Sequence, residues 1–169
     1  MSHDIARTDT DVLISGGGPV GLCLALLLAE QQIDVTVIEQ EPAIVRDLRA
    51  STFHPPTLDM LEQLGVTQRL IAQGLPCPSW QIRLHPGGER AVFDLSVLKD
   101  DTRHPYRLQC EQWKLSEALL ERLIGSPNAD VRFGATVVSA SDRHASVEVE
   151  IDFGGERGSG RAGACEQKA

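Results

Sequence analysis

Gly16, Gly18 and Gly21 form a Gly-x-Gly-x-x-Gly element, and Glu39 closes an aliphatic run about 20 residues further on. Such a glycine pattern is weak in isolation, and its neighbours decide what it can do. Gly16 permits a tight turn, Gly18 lets a pyrophosphate approach the backbone without a Cβ in the way, and Gly21 allows a helix to pack closely on a strand. N–H groups around Val20 and Gly21, aided by the helix dipole, would stabilise that anion; Pro19 offers none. Glu39 would accept hydrogen bonds from ribose hydroxyls. Its charge opposes a 2′-phosphate, so the site favours FAD or NAD over NADP. A purely structural glycine turn with an exposed Glu39 is the alternative.

The elements that must position these residues are readable nearby. Asp11–Ser15 reads as a short buried strand that stops at three glycines. Val20 to about Gln31 reads as a leucine- and alanine-rich helix that must pack on a sheet. Asp34–Glu39 supplies a second strand, which completes a right-handed βαβ unit. Further along, helices are expected from Pro55 to about Leu64 and from about Thr67 to Gln73. Trp80–Leu84 and Ala91–Leu95 flank the turn Pro86-Gly87-Gly88-Glu89 as a hairpin. A helix from about Glu111 to Ile124 then leads to a strand at Asp130–Phe133. Thr136–Ala140 and Ser146–Phe153 form a second hairpin, with Val147, Val149, Ile151 and Phe153 alternating against Glu148, Glu150 and Asp152. From Gly154 to Gly163 glycine dominates, and that stretch is not expected to pack as a strand.

Several function classes are disfavoured. The 169 residues carry a net charge of -8 and only 4% aromatics, a poor basis for holding phosphate backbones or stacked bases. The run Leu22–Ala29 is too short to span a membrane, and the polar N-terminus shows no signal core, so a cytoplasmic address is expected. Cys23, Cys77, Cys110 and Cys165 are far apart and read as reduced thiols. His54, His85, His104 and His144 lack metal-ligand spacing, so no metal is expected. Ser15 and Ser51 lack a nucleophile elbow, and no side chain is assigned as catalytic.

FAD and NAD share the glycine fingerprint, and two further segments separate them. Arg49-Ala50-Ser51-Thr52-Phe53-His54-Pro55-Pro56-Thr57-Leu58, running on to Leu64-Gly65, resembles the FAD-dependent aromatic hydroxylases, the para-hydroxybenzoate hydroxylase-like flavoprotein monooxygenases. Tyr106-Arg107-Leu108-Gln109-Cys110-Glu111-Gln112-Trp113-Lys114-Leu115 resembles a later segment of the same family. The resemblance implies that Arg49 and Gln109 contact the flavin. Arg46 and Arg107 remain open between cofactor contacts and ordinary surface arginines. It further implies bound FAD reduced by NADH or NADPH, and transfer of one oxygen atom from O2 to an aromatic or polyketide-like substrate.

The implied fold is α/β: a Rossmann-like FAD-binding βαβ with a parallel sheet, plus β-hairpins from an incomplete substrate domain. Residues 1–155 correspond to the N-terminal part of the family's domain, with 79–106 as a substrate-domain hairpin and 156–169 as a flexible or aberrant tail. The family's downstream Asp-Gly and Gly-Asp motifs are absent. A truncated sheet would leave an apolar edge and face open to self-association or a complementary chain. The expectation is therefore a flavin-binding fragment that is inactive alone. The alternatives are a non-catalytic FAD- or ADP-binding module and an NAD-dependent dehydrogenase domain.

Overall fold

The computed structural model describes residues 7–48, 50–154 and 157–163. In chain order its elements are β1 (Arg7–Thr10), β2 (Val12–Ser15), α1 (Pro19–Glu30), β3 (Val35–Glu39), β4 (Thr52–Phe53), α2 (Pro55–Gln63), α3 (Thr67–Gln73) and β5 (Leu75–Cys77). There follow β6 (Ser79–Leu84), β7 (Gly88–Asp94), a short 3-10 turn (Leu95–Leu98), β8 (Arg107–Gln109), α4 (Gln112–Ile124), β9 (Ala129–Phe133), β10 (Thr136–Asp142), β11 (Ser146–Asp152) and β12 (Arg157–Gly163). The chain divides into two compact units, Met1–Val45 with Leu119–Ala169, and Arg46–Ala118.

In the first unit β2, β3 and β9 form a parallel sheet in the order β2-β3-β9, with Val12 opposite Val35 and Val35 opposite Ala129. Strand β3 is central and almost wholly buried, as its β-branched residues Val35, Thr36, Val37 and Ile38 allow. Leu22, Ala25, Leu26 and Ala29 form the buried stripe of α1, while Val20, Leu24 and Leu27 stay exposed. The N-terminal ends of the strands are stitched at Asp34. Its carbonyl accepts from the Asp11 and Val12 N–H groups, and its carboxylate accepts from Asn128 Nδ2 at 2.6 Å.

A second sheet runs β1-β12-β11-β10, with β1 parallel to β12 and the other pairs antiparallel. Val149 and Ile151 turn inward against Ile38 and Ala135, so the alternation separates two faces over that part of β11, while Val147, expected on the buried face, is exposed. The glycine-rich stretch overturns its expectation. Residues 157–163 pair on both sides, from Asp152 opposite Arg157 to Ser146 opposite Gly163, and with Arg7–Thr10 across the other edge. Glycine contributes little packing to a strand, but backbone hydrogen bonds to two neighbours do not require a side chain. Residues 156 and 164–169 of the expected tail lie outside the described residues, as does residue 155 before it.

The second unit contains the antiparallel sheet β4-β8-β5 and the separate hairpin β6-β7. Leu58, Leu61, Leu64, Val66 and Leu70 bury the α2 and α3 faces, and the Thr67 hydroxyl donates to the Leu58 carbonyl at 2.8 Å. Phe53, Leu108, Cys110 and Leu115 are also buried. Among the described residues no helix is long and apolar enough to cross a membrane.

Candidate cofactor site

The loop between β2 and α1 is built around two glycines. Gly16 sits at φ 112°, a conformation L side chains rarely adopt, and its N–H donates to the Ile38 carbonyl at 2.8 Å. A Cβ on Gly21 would overlap the Gly16 carbonyl oxygen and stand 3.3 Å from Ile14 Cγ2. Helix and strand therefore meet without room for a methyl group. Gly18 is the contrast: nothing lies within 4 Å of where its Cβ would be. The backbone there is open to an approaching ligand.

Glu39 ties this loop to the end of β3. Its Oε2 accepts the Gly17 N–H at 2.6 Å, and its Oε1 accepts the Glu41 N–H at 2.9 Å. Both oxygens retain acceptor capacity for a ribose hydroxyl. The spacing of Glu39 from the glycines pointed to a ligand contact; the bond that orients the carboxylate on the loop emerges only in the folded chain.

The N-terminus of α1 is uncapped by any side chain, and its first turn holds no acidic residue. Its ladder starts with the Leu22 N–H on the Gly18 carbonyl at 3.0 Å, which leaves the Val20 and Gly21 N–H groups before that bond. Val20 is 83% exposed. Open backbone at Gly18, unclaimed first-turn donors and the positive end of a 12-residue helix fit a pyrophosphate. Gly16, Gly18, Val20, Gly21 and Glu39 are thus gathered in the first unit.

Gln109 lies in the second unit. The Thr52 hydroxyl donates to Gln109 Oε1 at 2.9 Å, and Gln109 Nε2 donates to Ser51 Oγ at 3.4 Å. The Cys110 N–H bonds to the Ser51 carbonyl and the Gln112 N–H to the Ala50 carbonyl, each at 2.9 Å. These bonds bring the two distant motif segments side by side. Arg49 lies outside the described residues. Arg46 binds Glu117 Oε1 through Nε at 2.8 Å and stands 5.0 Å from the Trp113 ring centre, so it is an ion-paired arginine. Arg107 is half-buried, 5.6 Å from the Trp80 ring centre. His54 is the exposed N-cap of α2 and makes no side-chain capping bond.

A cluster that sequence reasoning missed joins α2 to the loop before β8. His104, only 2% exposed, places Nδ1 2.7 Å from Asp59 Oδ1, while the Thr102 hydroxyl donates to Asp59 Oδ2 at 2.7 Å. These bonds, the hydroxyl first, hold the Asp59 carboxyl below its ordinary pKa. Asp59, Glu62 and His104 come within metal-ligand reach of one another. The Asp59 oxygens are nevertheless already taken by His104 and Thr102, and Glu62 pairs with Arg103 at 3.3 Å. The arrangement is a clasp across 45 positions, and no spacing rule reveals it.

The sequence matches the FAD binding domain family over residues 9–162. The chain belongs to this family. It is 41% identical over 145 residues to the 6-hydroxy-3-succinoylpyridine 3-monooxygenase of Pseudomonas putida, an alignment covering 86% of this chain and 36% of the relative. The p-hydroxybenzoate hydroxylase of Acinetobacter baylyi is 37% identical over 91 residues, covering 53% of this chain and 22% of that enzyme. The crystal structure of p-nitrophenol 4-monooxygenase from Pseudomonas putida superimposes with a TM-score of 0.88 at 30% identity, covering 94% of this chain and 40% of that one. This FAD-binding chain therefore has relatives among flavin-dependent aromatic monooxygenases. It spans little more than a third of the length of the first of them.

Proposed function

We propose that this chain is the flavin-binding portion of a monooxygenase that hydroxylates a small aromatic substrate with NADH or NADPH and O2. The observation that carries the reading is the glycine loop, whose open Gly18 backbone adjoins an uncapped helix N-terminus. In this reading the Val20 and Gly21 N–H groups hold the FAD pyrophosphate, and Glu39 accepts from the adenosine ribose. Arg49 and Gln109 contact the flavin, with Gln109 kept in place by Thr52. Bound FAD would supply the redox and oxygen chemistry, so none of these residues acts as a nucleophile. Their work is to bind and orient.

We infer that the residues of this chain by themselves bind FAD weakly and that hydroxylation requires the portion of the relatives that they do not span. Exposed Val20, Leu24 and Leu27 on α1 are compatible with a covering by that portion. The test is FAD titration of the purified chain by flavin fluorescence, followed by NADPH addition and a search for hydroxylated product. Saturable FAD binding without turnover is the expected result. Preference for NAD over FAD would overturn the flavin reading, and turnover by the chain alone would overturn the fragment reading. Nucleotide binding that never leads to flavin reduction, even with the remainder supplied, would leave a non-catalytic binding module.

A further inference from the structure

We propose that Arg107 is a specificity-determining residue, pairing with the carboxylate or phenolate oxygen of the aromatic substrate. The inference rests on the flavin reading above and narrows it. Arg46, Arg103, Arg122, Arg132 and Arg143 each pair with a carboxylate. Arg107 does not do so among the described residues, and its Nε is buried with no hydrogen-bond partner. A buried, unpaired guanidinium N–H is unfavourable, and in a folded protein it signals an acceptor that arrives from elsewhere.

The surroundings define that acceptor's company. Trp80 on β6 and Phe93 on β7 are register partners whose rings stack 4.1 Å apart and nearly parallel, and the Arg107 guanidinium lies against the Trp80 ring. A planar guanidinium lying against an indole face keeps its edge N–H groups for bidentate contact with a carboxylate or a hydrogen bond to a phenolate. Arg107 also alternates with buried Leu108, so it shares a face of β8 with Gln109. One two-residue step along a strand is roughly 7 Å. An anion on Arg107 would thus hold its ring beside the position assigned to the flavin.

The test uses the full chain with Trp113→Phe, so that tryptophan fluorescence reports on Trp80 alone. Benzoate and its neutral counterpart benzamide are titrated, and FAD binding is measured on the same samples. Benzoate should bind at least about tenfold more tightly than benzamide, as a charge-assisted hydrogen bond allows. Arg107→Gln should bring the two within about twofold of each other while leaving FAD affinity unchanged. If near-UV circular dichroism shows Arg107→Gln unfolded, Arg107→Lys decides, with a reduced preference and intact FAD binding expected. Equal binding of the two probes, no saturable benzoate binding, or a preference that survives loss of Arg107 would overturn the proposal. Loss of FAD binding with the benzoate preference intact would make Arg107 a cofactor contact and overturn it too. Benzoate discrimination in a wild-type chain that binds no FAD would instead overturn the flavin reading.

Discussion

Gly21→Ala and Gly18→Ala, two additions of one methyl group three residues apart, should fail in opposite ways. At Gly21 the new Cβ overlaps the Gly16 carbonyl oxygen, with the Gly16 carbonyl carbon 3.2 Å away and Ile14 Cγ2 at 3.3 Å. Those neighbours are backbone and a packed strand residue, so relief requires α1 to move off β2. Overpacking of this kind costs about 1–3 kcal/mol. For a chain of this size that is a fall in Tm of about 2–12 °C. At Gly18 the Cβ meets nothing within 4 Å, and φ is -72°, which alanine adopts freely. The stability loss there should stay below about 1 kcal/mol, the difference between glycine and alanine as an N-cap. Ligand approach suffers instead: loss of one charge-assisted hydrogen bond worth about 1.5–3 kcal/mol weakens FAD binding about tenfold to a hundredfold. Thermal melts by circular dichroism and FAD titrations of both variants separate the two effects. If Gly18→Ala lowers Tm as far as Gly21→Ala does, or binds FAD like the parent chain, the division between scaffold and ligand-facing glycine is wrong.

Glu39→Ala should strip two backbone N–H groups of their acceptor, lowering stability by about 1.5–3 kcal/mol in chemical denaturation and weakening FAD binding as well. Asp59→Asn should destabilise by about 1 kcal/mol near neutral pH, a value reduced by the partial exposure of Asp59. Because the folded Asp59 pKa lies below its unfolded value, its contribution is complete above the unfolded pKa of about 4 and is lost as pH falls through the folded one. The difference in melting temperature between Asp59→Asn and parent should shrink as the solution is acidified below about pH 4; a constant difference down to pH 2 would refute the clasp. Burial raises the Cys23 and Cys110 thiols, so both should alkylate more slowly with iodoacetamide in the native than in the denatured chain, as followed by peptide mass spectrometry.

What could be read from the sequence was whatever short-range physics writes locally. The βαβ unit was visible because Val35–Ile38 is a β-branched run that ends at Glu39, α1 is rich in helix formers, and glycines punctuate the join between strand and helix. Helix α3 was anticipated to its end residues, since Gly65 and Gly74 bracket it. Strands β4, β5 and β8 escaped notice because two or three residues carry no alternation, and their partners lie tens of positions away. Strand β12 was misjudged because side-chain pattern is silent where glycine is frequent; the two flanking strands decide its conformation.

The same division holds for the site. Residue type and spacing alone determined the glycine fingerprint and the carboxylate at Glu39, since each records a local requirement for a turn, a helix start or a strand end, whereas the motif around Gln109 was legible only through its family resemblance. Only the tertiary structure decided that Glu39 grips Gly17, that Thr52 holds Gln109, that Asp59 clasps buried His104, and that Arg107 is left under Trp80 with an unpaired N–H. Hydrogen bonds and burial depend on which groups meet after the chain folds, and separation along the chain does not encode those meetings.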